Sequence, residues 1–118
     1  MRLSHIRGRV LGEHLADLGY QTVDLGDVDI LRPLTPATSD QNPRYLHEAI
    51  VSCSNLADAV KHALAEGAIP LILGGDHSIA IGSFSGIASH FRNLGQEIGL
   101  IWFDAHADIN TALSSASG

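Results

Sequence analysis

The residues most suited to chemistry lie in one short segment, 104–108, in which Asp104, His106 and Asp108 alternate with two alanines. The segment follows the apolar run 98–103, which predicts a buried β-strand. In an extended chain, residues at i, i+2 and i+4 point to the same side, so the two carboxylates and the imidazole are predicted to converge on one point. Such ligands suit Mn, Fe or Zn, and the high share of carboxylate favours Mn. The alternative is an acidic loop that ends the strand and caps a helix.

A second polar motif, Gly-Gly-Asp-His-Ser at 74–78, follows another apolar run of strand length at 69–73. Its two glycines permit a sharp turn, and His77 stands where the strand gives way to a predicted helix. The alternative here is that Asp76 or Ser78 caps that helix and His77 is incidental, although capping and metal ligation are compatible. Because ligands bind at the carboxyl ends of the strands in open α/β sheets, both motifs are expected on the same rim of one sheet.

Helical and strand patterns alternate along the chain and would position both motifs. The predicted elements are a helix at 2–18 ended by Gly19, a strand at 20–25, a surface loop at 26–43, a helix from Asn42-Pro43 to about Glu66 ended by Gly67, a strand at 69–73, a helix at 78–92 and a strand at 98–103. This order predicts an α/β fold, here part of a doubly wound parallel sheet flanked by helices.

Two patterns predict how the helices pack. Gly82 and Gly86, with small residues nearby, are expected at a helix-packing surface. The second helix carries one apolar face, formed by Leu46, Ile50, Cys53, Leu56, Val60 and Leu64.

Composition excludes several classes of function. The chain has 118 residues, one domain's length at most, and a net charge of −6 with seven scattered Lys and Arg residues, so it offers no basic surface for nucleic acid and no basic helix for a membrane. The single cysteine, Cys53, excludes an internal disulfide framework and is expected to be inert core. No glycine spacing matches a dinucleotide or phosphate loop. Without a membrane-length apolar run or signal-peptide pattern, the predicted location is the cytoplasm.

The two polar motifs together resemble the first two signature motifs of the ureohydrolases, the superfamily of arginase and agmatinase. The likeness continues into residues 109–111 and 114–118, which are similar to the arginase version of the loop, and reaches back to 18–20 and 24–27. The resemblance covers nearly the whole chain. It implies the α/β ureohydrolase fold and a small guanidino compound as substrate.

The resemblance also implies a metal cofactor, because ureohydrolases use two Mn²⁺ ions per complete active site to hydrolyse a guanidino group and release urea. Matched residue by residue, His77, Asp104 and Asp108 would ligate one ion, and His106 with a bridging Asp104 would ligate the other. No catalytic residue beyond these ligands has a match in the chain.

The substrate that the resemblance favours is L-arginine, cleaved to L-ornithine and urea. Asn110 and Ser117 match arginase positions that bind the α-carboxylate of the amino acid, and agmatinase lacks the corresponding Asn. Agmatinase, formimidoylglutamase or a related guanidino-acid hydrolase is the alternative, because Asn and Ser are also ordinary turn residues.

Three departures from the family pattern concern activity. The last two metal ligands of the family form an Asp-x-Asp pair, and no such pair follows Asp108. The proton-shuttling His expected a few residues after the Ser-Gly of the loop has no match, nor do the first strand and its Gly-rich loop. Residues 1–118 are therefore expected to form a single partial domain that retains four of six ligands and is inactive by itself, or a non-catalytic decoy subunit. The parent enzyme is expected to be a homotrimer or homohexamer.

The strand order of the family, 2-1-3-8-7-4-5-6, has a structural consequence. The three predicted strands would correspond to the second, third and fourth, so none of them is expected to pair directly with another. Unpaired strands leave backbone groups unsatisfied. The chain alone is therefore expected to be marginally stable, or to close its strands into non-native pairs.

Overall fold

Three helices make up the regular structure of the computed structural model, which describes residues 3–32, 45–74, 76–109, 111 and 114. They are α1 (Leu3–Asp17), α2 (Leu46–Ala65) and α3 (Ile79–Asn93). Each lies where helical spacing predicts one, and the bounds differ by one residue except at the start of α2, whose predicted position lies outside the described residues. None of these helices is long and apolar enough to cross a membrane.

All three helices end in the same way, with a glycine in the left-handed conformation just after the last turn. Glycine adopts positive φ without the steric cost of a Cβ, which lets the chain fold back and satisfy the last carbonyl groups. The glycines are Gly19 (φ 89°), Gly67 (φ 75°) and Gly95 (φ 67°). At each end, the amide of the residue after the glycine donates a hydrogen bond to a carbonyl of the last helical turn. These bonds run from Tyr20 to Leu15 (3.0 Å), from Ala68 to Ala63 (3.0 Å) and from Gln96 to Phe91 (2.9 Å). The predicted stops at Gly19 and Gly67 are confirmed.

Of the described helices, only α2 and α3 pack against each other. Their contact depends on two glycines of α3: a Cβ on Gly82 would lie 2.7 Å from the Cys53 carbonyl oxygen, and one on Gly86 would lie 2.6 Å from that of Ala57. The two helix backbones therefore approach more closely than they could if either position carried a Cβ atom. The prediction that Gly82 and Gly86 serve helix packing is confirmed.

The core follows from this contact. Among the described residues, the buried apolar side chains are Leu56, Val60 and Ala63, all on α2, at 8%, 2% and 6% exposure. The predicted apolar face of α2 is buried only near α3, because Leu46 and Ile50 are 51% and 58% exposed.

The three predicted strands are described, and none forms a strand ladder. Residues 20–25, 69–73 and 98–103 have no helix or strand assignment and share no backbone hydrogen bond with one another. The predicted parallel sheet is therefore not confirmed. Their apolar side chains stay exposed, as in Val23 (81%) and Ile69 (94%).

Part of the predicted surface loop lies against α2. The Leu31 amide donates to the Ser52 hydroxyl at 3.1 Å, and the Asn55 side chain donates to the Asp29 carbonyl at 3.0 Å. Residues 33–44, including the predicted helix start at Asn42-Pro43, lie outside the described residues. The described helix begins at Leu46, after Tyr45 in a left-handed conformation (φ 58°).

Candidate metal centre

His77 stands in a tight turn that leads into α3. The Asp76 carboxylate accepts hydrogen bonds from the Ser78 hydroxyl and, at 2.9 Å, from the Ser78 amide. These two bonds stabilise the charged form, so they hold the pKa of Asp76 below its ordinary value. No side-chain hydrogen bond caps α3 at Ser78, so the capping alternative is not confirmed; the Asp76–Ser78 contacts instead hold the turn that displays His77.

This turn is tied to the helix pair as well as to itself. The Cys53 thiol, half-buried on α2, donates to the Ser78 carbonyl at 3.4 Å. Close packing at Gly82 follows within the next turn of α3. The position of the His77 backbone is therefore determined by the α2–α3 contact.

Asp104 is held by the residue two positions later. Its Oδ1 accepts the His106 amide at 2.7 Å and lies 3.0 Å from Nδ1 of the same histidine. The hydrogen bond from the His106 amide is the largest cause of the lowered pKa of Asp104. The His106 ring and electrostatic attraction to His77 lower this pKa further, whereas desolvation raises it. The Asp104 side chain is only 15% exposed and is a carboxylate at neutral pH.

The two motifs meet at the His77 ring. Nδ1 of His77 lies 3.4 Å from Oδ2 of Asp104, and Nε2 lies 3.4 Å from Oδ2 of Asp108. The structure thus brings His77, Asp104 and Asp108 together, with one ligand atom from each within 4.8 Å of the others. We call these three residues the His77 cluster.

His106 departs from the prediction that Asp104, His106 and Asp108 converge as an extended segment. The chain bends at residues 105–106 and Asp108 is left-handed (φ 50°), so the alternation of an extended strand is lost. The reason is local: the Asp104 carboxylate competes for the His106 amide and turns the chain. His106 contacts Asp104 with a side chain 81% exposed, and it does not belong to the His77 cluster.

The His77 cluster fits a divalent cation such as Mn²⁺. Two carboxylates and one imidazole are the donor set that Mn²⁺ accepts, and three protein ligands leave coordination positions for others. Without a cation, Asp104 and Asp108 place two negative groups around one imidazole, a disposition that a bound cation would stabilise.

Trp102 contributes a contact that the sequence analysis missed. Its indole ring lies 5.3 Å from the His77 imidazole, centroid to centroid, with the planes tilted by 36°. A signal existed, because Trp102 precedes Asp104 by two residues and an extended segment directs both to one side.

An open depression of about 280 Å³ beside the Trp102–His77 pair includes Asp76, Ile79 and Ile101 in its lining. A second depression of about 330 Å³, between the 25–29 segment and α2, contains no member of the His77 cluster.

The predicted substrate residues, Asn110 and Ser117, lie outside the described residues, as does Gly75 of the turn. Their roles stay predictions.

Comparison with known proteins adds independent findings. A family model described as the Arginase family matches residues 4–118. The arginase of Bacillus subtilis is 44% identical over 115 residues, which cover 98% of this chain and 37% of that protein. Bovine mitochondrial arginase-2 is 40% identical over 117 residues, covering 96% of this chain and 31% of the relative. The 1.7 Å crystal structure of Bacillus subtilis arginase superposes with a TM-score of 0.79 at 41% identity, over 95% of this chain and 36% of that one. The chain thus spans about a third of the length of the relatives that it matches.

Proposed function

Because the chain belongs to the arginase family, we propose that it contributes part of the metal centre of a manganese-dependent hydrolase that converts L-arginine to L-ornithine and urea. The observation that carries the proposal is the His77 cluster, in which two carboxylates of the 104–108 motif face the imidazole of the 74–78 motif. Arginase relatives of about 40% identity over nearly the whole chain support the reaction class.

Two overlapping sets of residues would bind the two ions. His77, Asp104 and Asp108 would bind one Mn²⁺, and Asp104 with His106 would offer ligands to a second. When bound, Mn²⁺ acts as a Lewis acid that polarises the substrate and makes water a better nucleophile at neutral pH.

The chain's own hydrogen bonds prepare these ligands. The His106 amide keeps the Asp104 carboxylate ionised and fixes one of its oxygens, which leaves Oδ2 directed towards His77. The Asp76–Ser78 contacts hold the turn, so His77 is presented before any cation arrives. Preorganised ligands reduce the ordering cost of metal binding.

Substrate choice rests on the resemblance. Asn110 and Ser117 match positions that bind an α-carboxylate, which L-arginine has and agmatine lacks. Release of urea from agmatine, or of formamide from formimidoylglutamate, in preference to urea from arginine would favour the alternative hydrolases.

The 118 residues by themselves are expected to release no measurable urea from arginine, even with excess Mn²⁺. The two further ligands implied by the resemblance form an Asp-x-Asp pair, and no such pair follows Asp108 in the sequence. Turnover above background by the purified chain would show that those ligands are dispensable or come from another chain.

A chimaera tests the proposed activity directly. This chain replaces the matching 115 residues of Bacillus subtilis arginase, and urea release from arginine is measured with Mn²⁺. We expect activity in the chimaera and its loss in the His77→Ala variant, with His62→Ala, an exposed histidine of α2, as the matched control. A folded chimaera that binds Mn²⁺ but hydrolyses no guanidino compound would overturn the proposal.

A further inference from the structure

Trp102, the only tryptophan of the chain, is placed differently from its neighbours. It is 47% exposed, whereas Ile101 and Phe103 on either side are 81% and 96% exposed. The partial cover of Trp102 includes the His77 ring, at a centroid distance of 5.3 Å.

The His77 side chain needs such a contact. The turn fixes its backbone, but its side chain is 50% exposed, and its two contacts with carboxylate oxygens are both 3.4 Å long. Hydrogen bonds from a ring nitrogen are normally shorter than about 3.2 Å, so these contacts alone restrain the imidazole weakly. An aromatic face at 5.3 Å and a 36° tilt lies within the attractive range for ring pairs.

We propose that Trp102 is a positioning residue that holds the His77 imidazole towards Asp104 and Asp108. The proposal rests on the proposed metal function of the His77 cluster. Trp102 and Asp104 stand two residues apart in one segment, so the same stretch of chain supplies a ligand and the ring that orients the opposite ligand.

This position also makes Trp102 an internal reporter. Mn²⁺ held by His77 would lie close to the indole and, being paramagnetic, would quench its fluorescence. Because there is no second tryptophan, the whole signal would come from this site.

The test is a titration of the purified 118-residue chain with Mn²⁺, in which electron paramagnetic resonance measures the concentration of free ion. Trp102→Ala is expected to weaken binding by about three- to tenfold, the range for loss of one aromatic pair. Trp102→Phe, which keeps a ring, should stay within about twofold of wild type. Tyr20→Ala removes another exposed ring (64%), which lies outside the His77 cluster and its depression, and is the matched control, with no expected change.

Far-UV circular dichroism of each variant checks that helices α2 and α3 are retained. A second readout in the chimaera separates positioning from chemistry, since Trp102→Ala should raise the Mn²⁺ concentration needed for activation and leave kcat at saturating Mn²⁺ unchanged.

The possible failures are distinguishable. Equal Mn²⁺ affinity of wild type and Trp102→Ala would overturn the positioning role and leave the proposed function standing. An equal loss in Trp102→Phe and Trp102→Ala would also overturn it, because a ring contact would then not be the cause. A wild-type chimaera that binds no more Mn²⁺ than its His77→Ala variant would overturn the proposed function itself.

Discussion

The α2–α3 pair and the three apolar segments are both rich in hydrophobic residues, yet only the pair is packed. Val60 on α2 is 2% exposed, whereas Ile69, Ile101 and Phe103 of the apolar segments are 94%, 81% and 96% exposed. A helix satisfies its backbone hydrogen bonds internally and needs only one neighbour to bury one face. A strand must find hydrogen-bond partners on other segments before it can be buried.

The metal motifs join these two regions. His77 lies in the turn between the 69–73 segment and α3, while Asp104 and Asp108 follow an unpaired apolar segment. We therefore expect a chain with stable helices around α2–α3 and weak cooperativity overall. A sharp cooperative thermal transition, together with well-dispersed amide NMR signals, would contradict this difference between the regions.

The largest effect is expected where the regions meet. Asp104→Asn should abolish the residual Mn²⁺ binding of the chain, because this carboxylate faces both His77 and His106. Asp24→Asn is the matched control, since the Asp24 carboxylate accepts the amide hydrogen bond of Gly26, two residues later, at 2.9 Å, and this contact involves no histidine. Isothermal titration with Mn²⁺ measures both. Unchanged affinity in Asp104→Asn would remove Asp104 from the metal centre.

The helix pair should respond strongly to added volume. Gly86→Ala places a Cβ 2.6 Å from the Ala57 carbonyl oxygen and 2.9 Å from the Val60 Cβ. The helices must move apart, which should lower the free energy of unfolding by about 1–3 kcal/mol despite the better helix propensity of alanine. Urea denaturation followed at 222 nm measures the loss.

The matched change in an apolar segment is Gly99→Ala, where nothing lies within 4 Å of the new Cβ. Its effect should stay within about 0.5 kcal/mol. If Gly99→Ala destabilised as much as Gly86→Ala, the 98–103 segment would be packed in solution and the contrast between the regions would be wrong.

Removing side-chain volume should produce a smaller difference in stability between the two regions. Val60→Ala deletes two buried methyl groups next to α3 and should cost about 1–2 kcal/mol of stability. Val23→Ala deletes the same atoms from a side chain that is 81% exposed and should cost almost nothing. Thermal melts of the two variants provide the comparison, and similar midpoints would show that residues 20–25 are covered.

The smallest effect concerns pH. The pKa of Asp76 is lowered in the folded chain, chiefly by its hydrogen bonds with Ser78, so its stabilising contribution is present above the ordinary value of 3.8 and is lost as pH falls through the lower folded value. Stability should therefore decline on acidification below about pH 4. Asp76→Ala should reduce that decline, as measured by denaturation at pH 3 and pH 7, and an unchanged pH dependence would count against the turn contacts.

Local sequence was sufficient for the features that depend on neighbours along the chain. Helical spacing predicted the three helices, and glycine predicted the stops at Gly19 and Gly67, because the conformations involved extend over only a few residues. The residue types at His77, Asp104 and Asp108, with their place after apolar runs, were enough to predict that two separate motifs meet at one site.

Tertiary structure decided the rest. Only the packed chain shows that Trp102 lies against His77 and that Cys53 ties the turn to α2, because each of these contacts joins residues 25 positions apart. It also separates His106 from the His77 cluster, since a side-chain hydrogen bond from Asp104 bends a segment whose pattern predicts an extended strand. Whether an apolar run is buried in a sheet depends on hydrogen-bond partners elsewhere in the fold, and its own residues cannot supply them.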